Sequence, residues 1–309
     1  MPKYLFGYER IKRLGSKIVE YAKTITLPFF DRVPLYDVSL FFWRSIVNGA
    51  LTTRASAIAF SFFLALFPAI IFIFTSIPYI LKENFQTELF LIISGILPAA
   101  IFNAVEETIL DILTIPRGNL LSLGFFMALI FSTNGIASMM NAFDASIHVH
   151  IHRNWFSQRV TSIFLLFILW VLLTIAIALI AGGQSLLNYL VEHGFLHGNF
   201  TFYLLSIGKW FIIIALFFFA YSFLYYMAPA KKTRWRFISA GGTLATVLSI
   251  ITLVGFGYYI NNFSQYNKLY GSIGTLLIIL LLMYFLSLIL LIGFELNVSI
   301  QQAQNQNKE

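Results

Sequence analysis

A chain of 309 residues that is 59% hydrophobic and only 11% charged does not read as a soluble protein, because soluble domains carry about 25% charged residues. Its 34 phenylalanines exceed what a single core of this size can hide, so lipid must be the solvent for most of the chain. The net charge of +7 is then a statement about membrane orientation; no soluble domain remains to present a continuous basic face to nucleic acid, and the lack of cysteine excludes disulfide and thiolate chemistry.

The first 54 residues hold 13 of the charged positions and cannot span lipid. Ile11, Leu14, Ile18, Ala22 and Ile25 recur at helical spacing among Arg10, Lys12, Arg13, Lys17 and Lys23. This predicts a basic amphipathic helix, either lying on a membrane surface or packed against the spans. Pro28 and Pro34 interrupt it, and a second amphipathic stretch runs from about Tyr36 to Arg54.

From Ala55 to Leu81 no charge occurs, which is ample for the roughly 20 residues a bilayer core requires. Further uncharged runs predict spans at about 118–143, 160–187, 210–229, 237–263 and 269–294. Leu89–Val105 is also uncharged but contains Gly95 and Pro98. Charge asymmetry arbitrates, since cytoplasmic loops accumulate Lys and Arg. With six spans and the N-terminus inside, the inside segments hold 16 basic residues and the outside loops 3; a seventh span reduces the contrast to 11 against 8.

The expected fold is therefore all-α: a polytopic bundle of six transmembrane helices at residues 55–299, preceded by the amphipathic region 1–54 and followed by a tail at 300–309. Both termini lie in the cytoplasm, and 82–117 forms an outward helical cap between spans 1 and 2. Lys209 is expected to snorkel to the outer interface. The basic residues point to membrane lipids as partners, with anionic inner-leaflet headgroups meeting the N-terminal region and the 230–236 loop. Self-association is left open.

Small residues let helix backbones approach in membranes. Ala57, Ser61, Ala65 and Ala69 follow one another at four-residue spacing, as do Gly124, Ala128 and Ser132, then Thr174, Ala178 and Gly182, and Gly241, Ala245 and Ser249. Bundle packing accounts for all four stripes. Pro68 interrupts the first and is expected to kink that span.

Polar groups inside spans require a partner or a purpose. Asn134 lies deep in the second span, Asn141 near its cytoplasmic end, and Glu295 and Asn297 end the last span on the same side. Glu295 is expected to pair with Arg54. His148, His150 and His152 form HVHIH, and His193 and His197 lie four apart, but the topology puts the two groups on opposite sides. Both are read as polar loop residues, and no metal, cofactor or catalytic constellation is expected.

Several stretches together resemble the YihY/virulence factor BrkB family. They are Arg54-Ala55-Ser56-Ala57-Ile58-Ala59-Phe60-Ser61 leading to Leu66-Phe67-Pro68, Ala228-Pro229, Gly241-Gly242, Tyr266-Asn267-Lys268-Leu269-Tyr270-Gly271-Ser272-Ile273-Gly274, and Gly293-Phe294-Glu295-Leu296-Asn297. The resemblance covers roughly Tyr36 to Ser299. It implies a six-span protein of the bacterial inner membrane. Members have carried a ribonuclease BN label, for which these residues give no physical reason.

Read physically, Tyr266 to Lys268 form an outward turn, and Gly271 and Gly274 open the last span with a bare face. Either this sets the angle between the last two spans, or it is the lip of a groove in which Asn267 and Tyr270 bind a polar group. The expected function is transport or handling of a lipid or another envelope amphiphile. The alternative is a scaffold recruiting partners through 82–117 or the N-terminal region, and a membrane-bound ribonuclease ranks last.

Overall fold

A computed structural model describes residues 20–21, 23–26, 30, 33–80, 118–146, 154–192, 198–230, 238–263 and 272–306. Among these residues there are seven α-helices of 14 to 38 residues and no strand: α1 (Leu35–Asn48), α2 (Leu51–Ile80), α3 (Gly118–Asp144), α4 (Trp155–Glu192), α5 (Gly198–Met227), α6 (Ala240–Phe263) and α7 (Ser272–Gln306). Helices α2 to α7 are the 6 long enough and apolar enough to cross a membrane. The expected cap 82–117, the HVHIH run, His193 and His197, the 231–237 stretch, and Asn267, Tyr270 and Gly271 lie outside the described residues.

The chain divides into two compact units, one comprising Met1–Ile58 with Ile136–Glu309 and the other Ala59–Gly135. In the smaller unit, α2 and α3 approach through glycine. A side chain at Gly124 would stand 3.2 Å from the Phe72 backbone nitrogen, and one at Gly135 2.8 Å from the Phe62 ring. Phe72 and Phe125 add a tilted ring contact at 5.4 Å. The helix α2 is unbroken at Pro68.

The larger unit opens with α1, whose amphipathic pattern is used against protein. Pro34 precedes its first residue and Asp37 lies in its first turn, where a negative charge suits the helix dipole. Val38 is buried with Phe30, Val33, Leu296, Ile300 and Ala303, so the helix lies on the C-terminal part of α7. Trp43 and Val47 stay exposed on the other side. Gly49 closes the helix with its N–H bonded to Ser45 O at 2.8 Å, and Ala50 follows at φ 47. This turn begins α2 at Leu51, so Arg54 sits in the first turn of the first span and does not close the amphipathic stretch.

Helix pairs α6–α7, α4–α5 and α5–α6 pack side by side. The α6–α7 crossing explains the Gly241 stripe: Gly241, Ala245 and Ser249 are all buried. A side chain at Gly241 would overlap the Gly293 carbonyl, and one at Gly293 would meet Gly241 O at 2.6 Å. Thr174 and Ala178 of the α4 stripe are exposed instead. Equal spacing thus has different uses: Gly124 and Gly241 meet a neighbouring helix within their units, whereas Thr174 and Ala178 are exposed. Lys209 lies about three turns into α5 and is exposed.

Candidate functional site

The buried charges of the larger unit gather where α2 begins, α3 ends and α7 nears its C-terminal portion. Glu295 is 0% exposed and Arg54 9%, and Arg54 Nη2 donates to Glu295 Oε1 at 2.6 Å. The sequence reading paired these two residues because both border uncharged runs on the same side. Breaking such a pair strands a charge in a low-dielectric interior, so it holds its helices together even where its net contribution to stability is small.

Arg54 has a second partner that no sequence pattern announces. Its Nη1 donates to the Ala142 carbonyl at 2.7 Å. Ala142 lies in the last turn of α3, where carbonyls lack helical partners and the dipole is negative, so the guanidinium also caps that helix. The second oxygen of Glu295 accepts the Ser146 hydroxyl at 2.9 Å, and Asp144 Oδ1 accepts the Ala230 N–H at 2.9 Å just beyond α5. One ion pair therefore joins α2, α3 and α7, and the next carboxylate holds the end of α5.

Beside the charges lies an aromatic stack. Phe143 and Phe294 are stacked at 4.1 Å, and Tyr225 meets Phe143 edge-on at 6.0 Å. The Tyr225 hydroxyl donates to Leu290 O at 2.8 Å, and Tyr221 shares a 2.6 Å hydrogen bond with Ser249. These rings displace water from the neighbourhood of the pair and bond their own hydroxyls, as buried tyrosines must.

Asn297 acts as a helix cap. Its Oδ1 accepts the Gly241 N–H at 2.8 Å and its Nδ2 donates to Ser239 Oγ at 3.1 Å. Ser239 Oγ accepts the Gly242 N–H at 3.0 Å. Two of the unpaired donors at the start of α6 are thereby satisfied. The stretch Gly293-Phe294-Glu295-Leu296-Asn297 thus supplies the bare surface for α6, the ring on Phe143, the carboxylate for Arg54, a residue of the α1 cluster and the α6 cap.

The other candidates do not join this cluster. Asn141 is exposed and accepts a hydrogen bond from Gln158 Nε2 at 2.5 Å. Asn134 is exposed on the part of α3 in the smaller unit; Ser61 and Pro68 are half-buried on the part of α2 in that unit. Gly274 lies in the first turn of α7. Sequence reasoning overlooked Ser45, Ala142, Ser146, Tyr225 and Ser299, whose importance comes from burial beside the ion pair.

Six long apolar helices define a polytopic helical membrane protein. The sequence profile of the Virulence factor BrkB family matches residues 42–309, and the chain belongs to that family. It is 27% identical to the ribonuclease-like protein YfkH of Bacillus subtilis, over 79% of this chain and 88% of that protein. It is also 27% identical to a UPF0761 membrane protein of Idiomarina loihiensis, over 74% of this chain and 76% of the relative. A UPF0761 membrane protein of Aliivibrio salmonicida shares 26% identity over 85% of this chain and 83% of its own length. No solved structure gives a significant match.

Proposed function

We propose that this protein binds and moves an anionic lipid or a comparable envelope amphiphile in a bacterial inner membrane, with both termini in the cytoplasm. The observation that carries this reading is the Arg54–Glu295 pair, buried among apolar helices at their junction. Ionisable groups in membrane spans are costly and typically line substrate or ion paths. The Arg54 guanidinium is suited to an anionic headgroup.

The basic residues support the same orientation. With six spans, 16 Lys and Arg fall on the side of the pair, where they attract the anionic leaflet. Trp155 and Phe156 are exposed in the first turn of α4, with Arg159 over the Trp155 ring at 5.7 Å, a composition suited to the membrane interface. The proposed activity is non-enzymatic. The name of the Bacillus subtilis relative raises a ribonuclease, yet both oxygens of Glu295 are already taken by Arg54 and Ser146.

A scaffold reading has one observation of its own, the exposed Trp43 and Val47 on α1. Reconstitution into liposomes containing labelled phosphatidylglycerol separates the two. Transbilayer movement above that of protein-free vesicles supports handling of lipid; movement at the same rate sinks it and favours the scaffold.

A further inference from the structure

Three buried side-chain atoms have no hydrogen-bond partner among the described residues: Arg54 Nε, Ser45 Oγ and Ser299 Oγ. All three belong to residues around the same ion pair. Ser299 follows Glu295 by four positions on α7, which puts the two side chains on one face about 5–6 Å apart. Ser45 lies in the last turn of α1. Its carbonyl abuts the Cβ position of Gly49, and Arg54 Nη2 lies 3.0 Å from that same point, so the guanidinium folds back over the α1–α2 turn.

Their chemistry agrees. The Nε–H of arginine can only donate, and a serine hydroxyl has a free donor as well. Buried hydroxyls with nothing to bond are less favourable than alanine in the same place, so packing gives no reason for serine at 45 and 299, both 0% exposed. Arg54 is in the first turn of α2, at the positive end of that helix's dipole. The nearby carboxylates already have partners: Glu295 uses both oxygens, on Arg54 and Ser146, and Asp144 accepts the Ala230 amide.

We infer that Arg54 Nε, Ser45 and Ser299 form a binding site for a phosphate-type oxyanion at the N-terminus of α2. Arg54 keeps Glu295 on Nη2 and Ala142 on Nη1 while its third edge takes the ligand. This names the headgroup class for the function proposed above and rests on that reading only for the identity of the natural ligand.

The test uses the full chain purified in zwitterionic detergent. Thermal unfolding is followed while inorganic phosphate is titrated against chloride at matched ionic strength, and while phosphatidylglycerol is titrated against phosphatidylcholine. Stabilisation by phosphate beyond chloride is expected. A phosphatidylglycerol response beyond phosphatidylcholine identifies the lipid headgroup as the source, and a response to phosphate alone identifies the free anion. The variant Ser45→Ala/Ser299→Ala removes only unpaired hydroxyls, so it should fold with unchanged or raised stability yet require about tenfold more phosphate. No anion response beyond chloride, or an unchanged midpoint in the double variant, overturns the site. Loss of lipid movement with phosphate binding intact would overturn the transport reading and not this site.

Discussion

Replacing Arg54 by methionine keeps an unbranched stem and removes the charge. Glu295, 0% exposed, then loses the guanidinium at 2.6 Å and keeps only Ser146 as a donor. At a charge separation of about 4 Å and an effective dielectric constant of about 20, the lost attraction is about 4 kcal/mol, in line with the roughly 3–5 kcal/mol seen when one member of a buried pair is removed. The Ala142 carbonyl also loses its donor, which adds about 1 kcal/mol. Glu295→Met should cost less, about 3 kcal/mol, because Arg54 stays bonded at the negative end of α3. The double variant strands no charge and should return to within about 1–2 kcal/mol of the parent, since an apolar replacement of a buried pair is often neutral. Unfolding by SDS in mixed micelles gives the three differences, and the coupling should exceed about 2 kcal/mol. Single losses below about 1 kcal/mol each that simply add would refute the account of the pair as the joint between α2, α3 and α7.

Other consequences follow from the same contacts. Gly241→Ala drives a methyl group into the Gly293 carbonyl and should cost about 1–3 kcal/mol, whereas Gly255→Ala meets nothing within 4 Å and should gain up to about 1 kcal/mol of helix propensity; the same unfolding assay compares them. Asn297→Ala should lose about 1 kcal/mol with the α6 cap, while Asn297→Asp keeps the acceptor for Gly241 N–H and should retain most of it. Because the chain has no cysteine, single cysteines at Lys3, Lys232 and Lys308 can be labelled one at a time in intact cells. Impermeant maleimide should miss all three, and labelling of any one from outside would reject the proposed orientation.

The spans were legible because lipid imposes a long uncharged run, and six such helices are found. Arg54 and Glu295 were legible together because charges bordering those runs on one side have few partners. Ala142 was not, since a backbone carbonyl has no signature in the sequence. The start of the first span was displaced because the Gly49–Ala50 turn separates two helices that share one amphipathic pattern. Asn297 is visible in the sequence as a polar residue near a membrane, but its partner, the start of α6, lies far away in sequence. Small-residue stripes were indistinguishable by spacing; the α6 stripe is buried against Gly293, and Thr174 and Ala178 are exposed.

The central claim is that an anionic headgroup is recognised at Arg54 and its amphiphile is carried across the membrane. The most direct measurement compares transbilayer rates of phosphatidylglycerol and phosphatidylcholine in the same proteoliposomes, for the parent and for a folded Arg54→Gln variant. The account predicts that phosphatidylglycerol moves faster than phosphatidylcholine and faster than in protein-free vesicles, and that Arg54→Gln abolishes the difference. Equal rates for the two lipids in the parent, or a preference that survives Arg54→Gln, would contradict it.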